Sequence, residues 1–182
     1  MQNKIIALTG LSGSGKSTIA AKTAEQNGSH VIPASGFTAQ ISEINRMPDL
    51  MRFLVRNYPG KIISHRPVLD ETKSKLPATP IILDGVYSRR LLHSLIAEFG
   101  RENVVVVHVV ASFSDRRKRI LSRGQTLALM LVRDAAKMLS GAGIVNRQAD
   151  TRIVSNGQPD AIYDATMQLA RLIRPCLSSQ EP

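Results

Sequence analysis

The stretch Gly10-Leu-Ser-Gly-Ser-Gly15-Lys16-Ser17-Thr18 constrains this chain more than any other. In a loop of glycines and small hydroxyl residues, successive backbone N–H groups can all turn inward around a polyphosphate, because glycine adopts the required conformation and leaves room for the oxygens. The full G-x-x-x-x-G-K-S/T pattern, a Walker A loop, lies between Lys4-Ile-Ile-Ala-Leu-Thr9, an apolar run suited to a buried parallel strand, and a helical pattern over residues 17–27 that ends at Asn27-Gly28. In that setting Lys16 would reach the β- and γ-phosphates, Ser17 would set its hydroxyl on a magnesium ion, and the helix would add the positive end of its dipole. Gly10, Ser12, Gly13, Ser14, Gly15, Lys16, Ser17 and Thr18 are the expected nucleotide-binding set, with ATP and Mg2+ as cofactors. A fortuitous match in a glycine-rich turn is the competing explanation. Three glycines, a lysine and both hydroxyls in frame weigh against it.

A chain of 182 residues has room for one α/β domain with a lid or small insertion, and not for a second independent core. The excess of 24 Lys and Arg over 14 Asp and Glu gives a net charge of +10, which suits an anionic partner. Nucleotides, a coenzyme and nucleic acid all fit, as does a merely well-solvated basic surface. With aromatics at 4% and no tryptophan, a surface for single-stranded nucleic acid built on base stacking is disfavoured. Cys176 is the lone cysteine, so no internal disulfide forms, and no apolar run approaches the ~20 residues of a membrane span. The expectation is a cytoplasmic protein without membrane attachment.

Beyond the first helix, His30-Val-Ile-Pro-Ala34 predicts a short second strand leading to a turn at Ser35-Gly36-Phe37. Residues 38–58 carry a helical apolar pattern through Ile41, Ile44, Met47, Leu50, Met51, Leu54 and Val55, with Arg46, Arg52 and Arg56 on the polar side as candidate phosphate contacts. A short helix is predicted over 67–75. The segment from 37 to 80 as a whole is expected to be a helical acceptor-binding insertion.

Ile81-Ile-Leu-Asp84-Gly85 predicts a buried strand whose terminal acid would hold the magnesium shell or orient a substrate hydroxyl, a turn or capping role being the alternative. Ser88 caps a predicted helix to Phe99, with Arg89 and Arg90 in a first turn where the helix dipole disfavours cations. Asn103 to Ala111 is a near-continuous valine run, the expected central strand of a parallel sheet, with His108 as a core histidine. Ser114 to Gly124 concentrates basic residues, among them Arg119 and Arg123, that would clamp a transferring phosphoryl group or, in the rival interpretation, track a nucleic-acid backbone. A helix over 125–139 counts Leu127, Leu129, Met130, Leu131 and Val132 as its apolar positions and is followed by a hinge at Ser140-Gly-Ala-Gly143. The last strand and turn span Thr151 to Gly157, and Pro159 opens a terminal helix to about Ile173. Strands and helices alternate throughout, which predicts a three-layer α/β/α fold with five mainly parallel strands.

With these segments in order, the chain resembles the nucleoside-monophosphate-kinase branch of the P-loop kinases from about residue 4 to 173, and within it dephospho-coenzyme-A-kinase-like and archaeal nucleotide-kinase-like proteins. Leu83-Asp84-Gly85 is similar to the family's strand-ending D-G, and Arg119-Ile-Leu-Ser-Arg123-Gly124 to the R-L-x-x-R-G that leads into its lid. Arg133-Asp134, Arg147-Gln-Ala-Asp150 and Val154-Ser-Asn156-Gly157 match the lid arginine, the segment before the last strand and the adenine-side turn. The resemblance implies a lid over about 124–147, catalytic roles for Lys16, Asp84, Arg119, Arg123 and Arg133, a metal site at Ser17 and Asp84, and nucleotide contacts from Arg119, Asn156 and Gly157. Two departures stand on the acceptor side: Phe37 replaces a family aspartate, and Tyr87 replaces an arginine close behind the D-G. The expected activity is transfer of the γ-phosphoryl of Mg-ATP to a nucleotide-like or other small anionic acceptor. A polynucleotide end kinase or ATPase acting on nucleic acid is the alternative from another class, and an ATP-binding degenerate kinase is a third.

Overall fold

The structure, a computed structural model, describes residues 3–34, 65–157 and 159–173. Five strands, β1 (Ile5–Thr9), β2 (His30–Ile32), β3 (Ile81–Asp84), β4 (Val104–Val110) and β5 (Thr151–Val154), form one sheet in the order β2-β3-β1-β4-β5. Every pairing is parallel. The central strand is β1, with β4 one place off centre rather than in the middle. The crossovers are helical: α1 (Lys16–Asn27), α2 (Arg66–Lys75), α3 (Arg89–Phe99), α4 (Phe113–Leu121), α5 (Leu127–Leu139), α6 (Ala142–Arg147) and α7 (Pro159–Ile173).

The strand pattern explains the three layers. All five residues of β1 are buried, and because side chains alternate across a strand, Ile5 and Ala7 serve one core while Ile6 and Leu8 serve the other. The first core joins Ile32, Ile81, Leu83, Val104 and Val106 to Val68 of α2, Leu91, Leu92 and Leu95 of α3, and Val145 of α6. The second joins Ile82, Val107, Val109 and Ile153 to Ile19 and Ala20 of α1 and Ala165, Leu169 and Ile173 of α7. A sheet buried on both faces needs near-continuous apolar strands, as the valine run of β4 provides.

Helix ends follow local chemistry. Ser88, Ser112 and Thr126 cap α3, α4 and α5 through side-chain oxygens that accept from Leu91, Asp115 and Leu129 N–H. Ser140 closes α5, Gly141 turns the chain at φ +106°, and α6 begins at once with the fully buried Ala142. Leu129 and Leu131 face outward at 38% and 50% exposure, and the buried positions of α5 are Met130 and Asp134. The Ser35–Phe37 turn, the expected helix over 38–58 with Arg46, Arg52 and Arg56, and Cys176 lie outside the described residues.

Candidate functional site

The loop from Gly10 to Gly15 leaves the carboxyl edge of the central strand and runs directly into α1. That edge is where open parallel sheets hold ligands. Two glycines are needed there for different reasons. At Gly10 a Cβ would fall 2.2 Å from Val109 O, so the loop can begin only where no side chain intrudes on β4. Gly15 takes φ +92° at the helix entrance, a left-handed conformation that L side chains rarely adopt. The end of β1 is held by Thr9 Oγ1, which donates to Asn146 Oδ1 of α6 at 2.8 Å.

Lys16 opens α1 with its ammonium folded back into the loop, donating to Leu11 O at 2.9 Å and Ser14 Oγ at 3.2 Å. It is 6% exposed. Burial, and next the charge of Lys137, pull it from 10.5 down to about 7, against the opposing pull of Asp84 and Asp134. Ser17 stands exposed in the first turn of α1, and Asp84, half-buried, ends β3 in register with Leu8. The backbone after Asp84 is fixed by Gly85 and Val86 N–H, which both donate to Leu8 O. A glycine-rich loop and a desolvated lysine fit a polyphosphate, and two hard oxygen donors fit Mg2+, which keeps several waters and takes its other ligands from the phosphates. Among the described residues there is no group of three or more His, Cys, Asp or Glu able to hold a metal.

Two supports grip the loop from outside. On one side is Arg119 of α4. Its guanidinium donates to Gly13 O at 3.2 Å, to Ser155 Oγ at 3.2 Å, and to Ser155 O. Ser155 Oγ donates in turn to Ser14 O, tying the turn after β5 to the loop. In that turn Asn156 Oδ1 accepts from Ser112 N at 2.7 Å, and the backbone of Gly157 hydrogen-bonds Asp115. Arg119, Asn156 and Gly157 are thus brought together beside the loop, with the guanidinium of Arg119 already committed to carbonyls.

On the other side is the inner face of α5. Asp134 Oδ1 accepts from Ser12 N at 2.8 Å, and its second oxygen accepts from Arg116 of α4. Arg116 also donates to Ser12 O at 3.1 Å, so one buried ion pair grips both backbone groups of Ser12. One turn further, Lys137 Nζ donates to Ser12 Oγ at 2.8 Å and lies 4.7 Å from the centre of the Tyr87 ring. Lys16 Nζ lies 5.7 Å from the same ring. Burial brings Lys137 from 10.5 down to about 8, partly offset by Asp134. Burial pushes the Tyr87 hydroxyl well above its ordinary value, with Asp84 and Asp134 adding to the rise.

The other expected arginines stand further out. Arg133, half-buried, donates to Gln125 Oε1 at 3.0 Å, bracing the turn before α5, while Arg123 is exposed at the exit of α4. Arg89 and Arg90 are exposed on α3. His108 is half-buried next to Thr9 in the sheet, and burial with the charges of Arg152 and Lys16 draws it below 6.5. Asp150 pairs with Arg101 and accepts from Val106 N at 2.7 Å, a structural tie at the foot of β5. Arg116, Asp134, Lys137 and Tyr87 are the site residues that residue-by-residue expectation missed. A signal existed in the helical spacing of Met130, Asp134 and Lys137, which places a carboxylate and an ammonium on the stripe of a buried methionine.

No protein-family model matches the sequence, and no curated protein matches it. Solved structures do match the fold. A sugar kinase from Janibacter sp. is 19% identical, with a TM-score of 0.57 over 98% of this chain and 99% of that one. A gluconokinase from Sinorhizobium meliloti is 19% identical at TM-score 0.57, over 94% of each chain. A shikimate kinase from Acinetobacter baumannii, solved with shikimate, is 17% identical at TM-score 0.58, over 94% and 93%. The five-stranded parallel sheet with helices on both faces is the fold these kinases share with this chain.

Proposed function

We propose that this chain is an ATP-dependent small-molecule kinase that moves the γ-phosphoryl of Mg-ATP onto a hydroxyl or phosphate of a small anionic acceptor. The observation that carries the proposal is the loop itself, which starts at the edge of the central strand, turns through its glycines, and encloses a lysine ammonium that no carboxylate among the described residues neutralises directly. An anion of several charges is the ligand such an arrangement favours.

In the proposed reaction the acceptor oxygen bonds to the γ-phosphorus, the bond to the β–γ bridging oxygen breaks, and ADP leaves. The acceptor's proton departs through Asp84 or water. Lys16 and the amides of Gly13 to Lys16 hold the β- and γ-phosphates. Ser17 and Asp84 would hold Mg2+, which would supply charge neutralisation at the phosphate oxygens. Arg119 and the turn at Asn156-Gly157 line the nucleoside side, while Arg123 leads into, and Arg133 belongs to, a lid segment over about 124–147 that excludes water on closing.

The acceptor class draws support from neighbours named for gluconate and shikimate, both hydroxylated acids, and the basic balance of the chain agrees with an anion. A nucleotide-like acceptor such as dephospho-coenzyme A is the narrower form of the same proposal. The test is ADP release from Mg-ATP across nucleoside monophosphates, dephospho-coenzyme A, gluconate, shikimate and related hydroxylated acids. One acceptor raising the rate well above background is expected; background rates throughout reduce the proposal to ATP binding. The net charge of +10 also favours a second possibility, action on nucleic acid. Tight oligonucleotide binding that collapses with added salt would select it.

A further inference from the structure

We propose that Lys137 is a second phosphate-contacting lysine of the loop, and that its ammonium binds terminal phosphoryl oxygens of the nucleoside triphosphate alongside Lys16. The inference rests on the nucleotide-binding reading of Gly10–Thr18.

The geometry points to an anion site. Lys137 belongs to α5, outside the loop motif, yet its Nζ is delivered to the hydroxyl of Ser12 within that motif. An ammonium has three donors and no acceptor capacity, and Ser12 Oγ takes one of them. Lys137 shares the Tyr87 ring with Lys16, so Tyr87 gathers two cations about one ring. The nearest carboxylate on α5, Asp134, is already committed to Ser12 N–H and Arg116.

Every element packed around Lys137 contributes charge or a titratable group: Lys16 from α1, Asp84 and Tyr87 from β3 and its following turn, Arg116 from α4, and Arg133 and Asp134 from α5 itself. Among the described residues the carboxylates Asp84 and Asp134 are outnumbered by the cations. Like charges held together away from bulk water repel, and a polyphosphate is the ligand class that turns the repulsion into attraction. The depressed Lys137 fits this arrangement, and binding a polyanion would draw a proton onto it.

The experiment is calorimetric titration of the full chain with Mg-ATP, Mg-ADP and AMP, at about pH 8 in buffers of different ionisation enthalpy. Lys137→Met should weaken Mg-ATP by about 10- to 100-fold, the loss of a charge-assisted hydrogen bond. It should weaken AMP, which has no β- or γ-phosphate, far less. Lys137→Arg should keep most of the affinity while taking up fewer protons than the wild type, a readout that a merely structural lysine would not move. Circular dichroism establishes that each variant is folded, and the arginine variant decides the matter if the methionine variant is not. If the wild type binds Mg-ATP and both variants bind it equally well with unchanged proton uptake, the Lys137 assignment is overturned alone. If the wild type binds none of the nucleotides, the loop reading falls and takes the assignment with it.

Discussion

The two supports of the Gly10–Gly15 loop are built from opposite chemistry. Arg119 and Ser155 hold the loop through its carbonyls, at Gly13 and Ser14. Asp134, Arg116 and Lys137 hold it through the amide, carbonyl and hydroxyl of Ser12, with charges on all three side chains. A carbonyl anchor has no quarrel with an arriving phosphate, since it takes none of the N–H groups that phosphate needs. The α5 side competes: a carboxylate occupies a loop N–H, and an ammonium waits beside it. The first side fixes the loop, and the second sets its charge.

Substitutions can break this contrast. The largest effect is expected from Asp134→Ala, which strands Arg116 in a buried position; urea unfolding should show a loss of about 3–5 kcal/mol. Next, Lys16→Ala should cut Mg-ATP affinity by about 2–5 kcal/mol in calorimetry while thermal unfolding of the ligand-free chain is retained. Arg119→Ala should cost about 1–3 kcal/mol of stability by leaving carbonyls unpaired, and Arg119→Lys should not restore the forked contact. Ser155→Ala, which removes one bond of the same anchor, should cost about 1 kcal/mol. If the Arg119 and Ser155 variants alter the pH dependence of nucleotide binding as strongly as the Lys137 variants do, the division between fixing and charging is wrong.

A smaller effect separates the two sides by pH alone. Lys16 and Lys137 titrate lower in the folded chain, at about 7 and about 8, than their ordinary 10.5. Between those values the unfolded chain binds more protons, so ligand-free stability should rise from about pH 7 toward pH 10. Below pH 7 both states are protonated and the rise vanishes. Unfolding of Lys16→Met and Lys137→Met measured across that range should show a flatter profile.

How much of this was legible beforehand varies by residue. The loop was legible because its motif encodes a backbone conformation, and the strands because double-sided burial demands unbroken apolar runs such as Val104–Val110. Ser88 was legible as a cap because capping is local chemistry. The inner face of α5 was not, since hydrophobicity ranks Leu129 and Leu131 above Asp134 and Lys137, while the actual neighbour of that face is a polar loop more than a hundred residues away in sequence. Arg116 was hidden among exposed basic neighbours, with only its spacing to Ile120 to mark it as inward. Gly141 was legible as a break between helices, and its positive φ serves a tight corner there.

The five sealed residues of β1 act as a measuring rod. With Ile5 and Ala7 committed to one helical layer and Ile6 and Leu8 to the other, a single inserted residue would send every side chain to the wrong side and carry Gly10 off its only fitting place against Val109. The tolerance of the loop that follows to insertion or deletion is therefore set by a strand that never meets solvent.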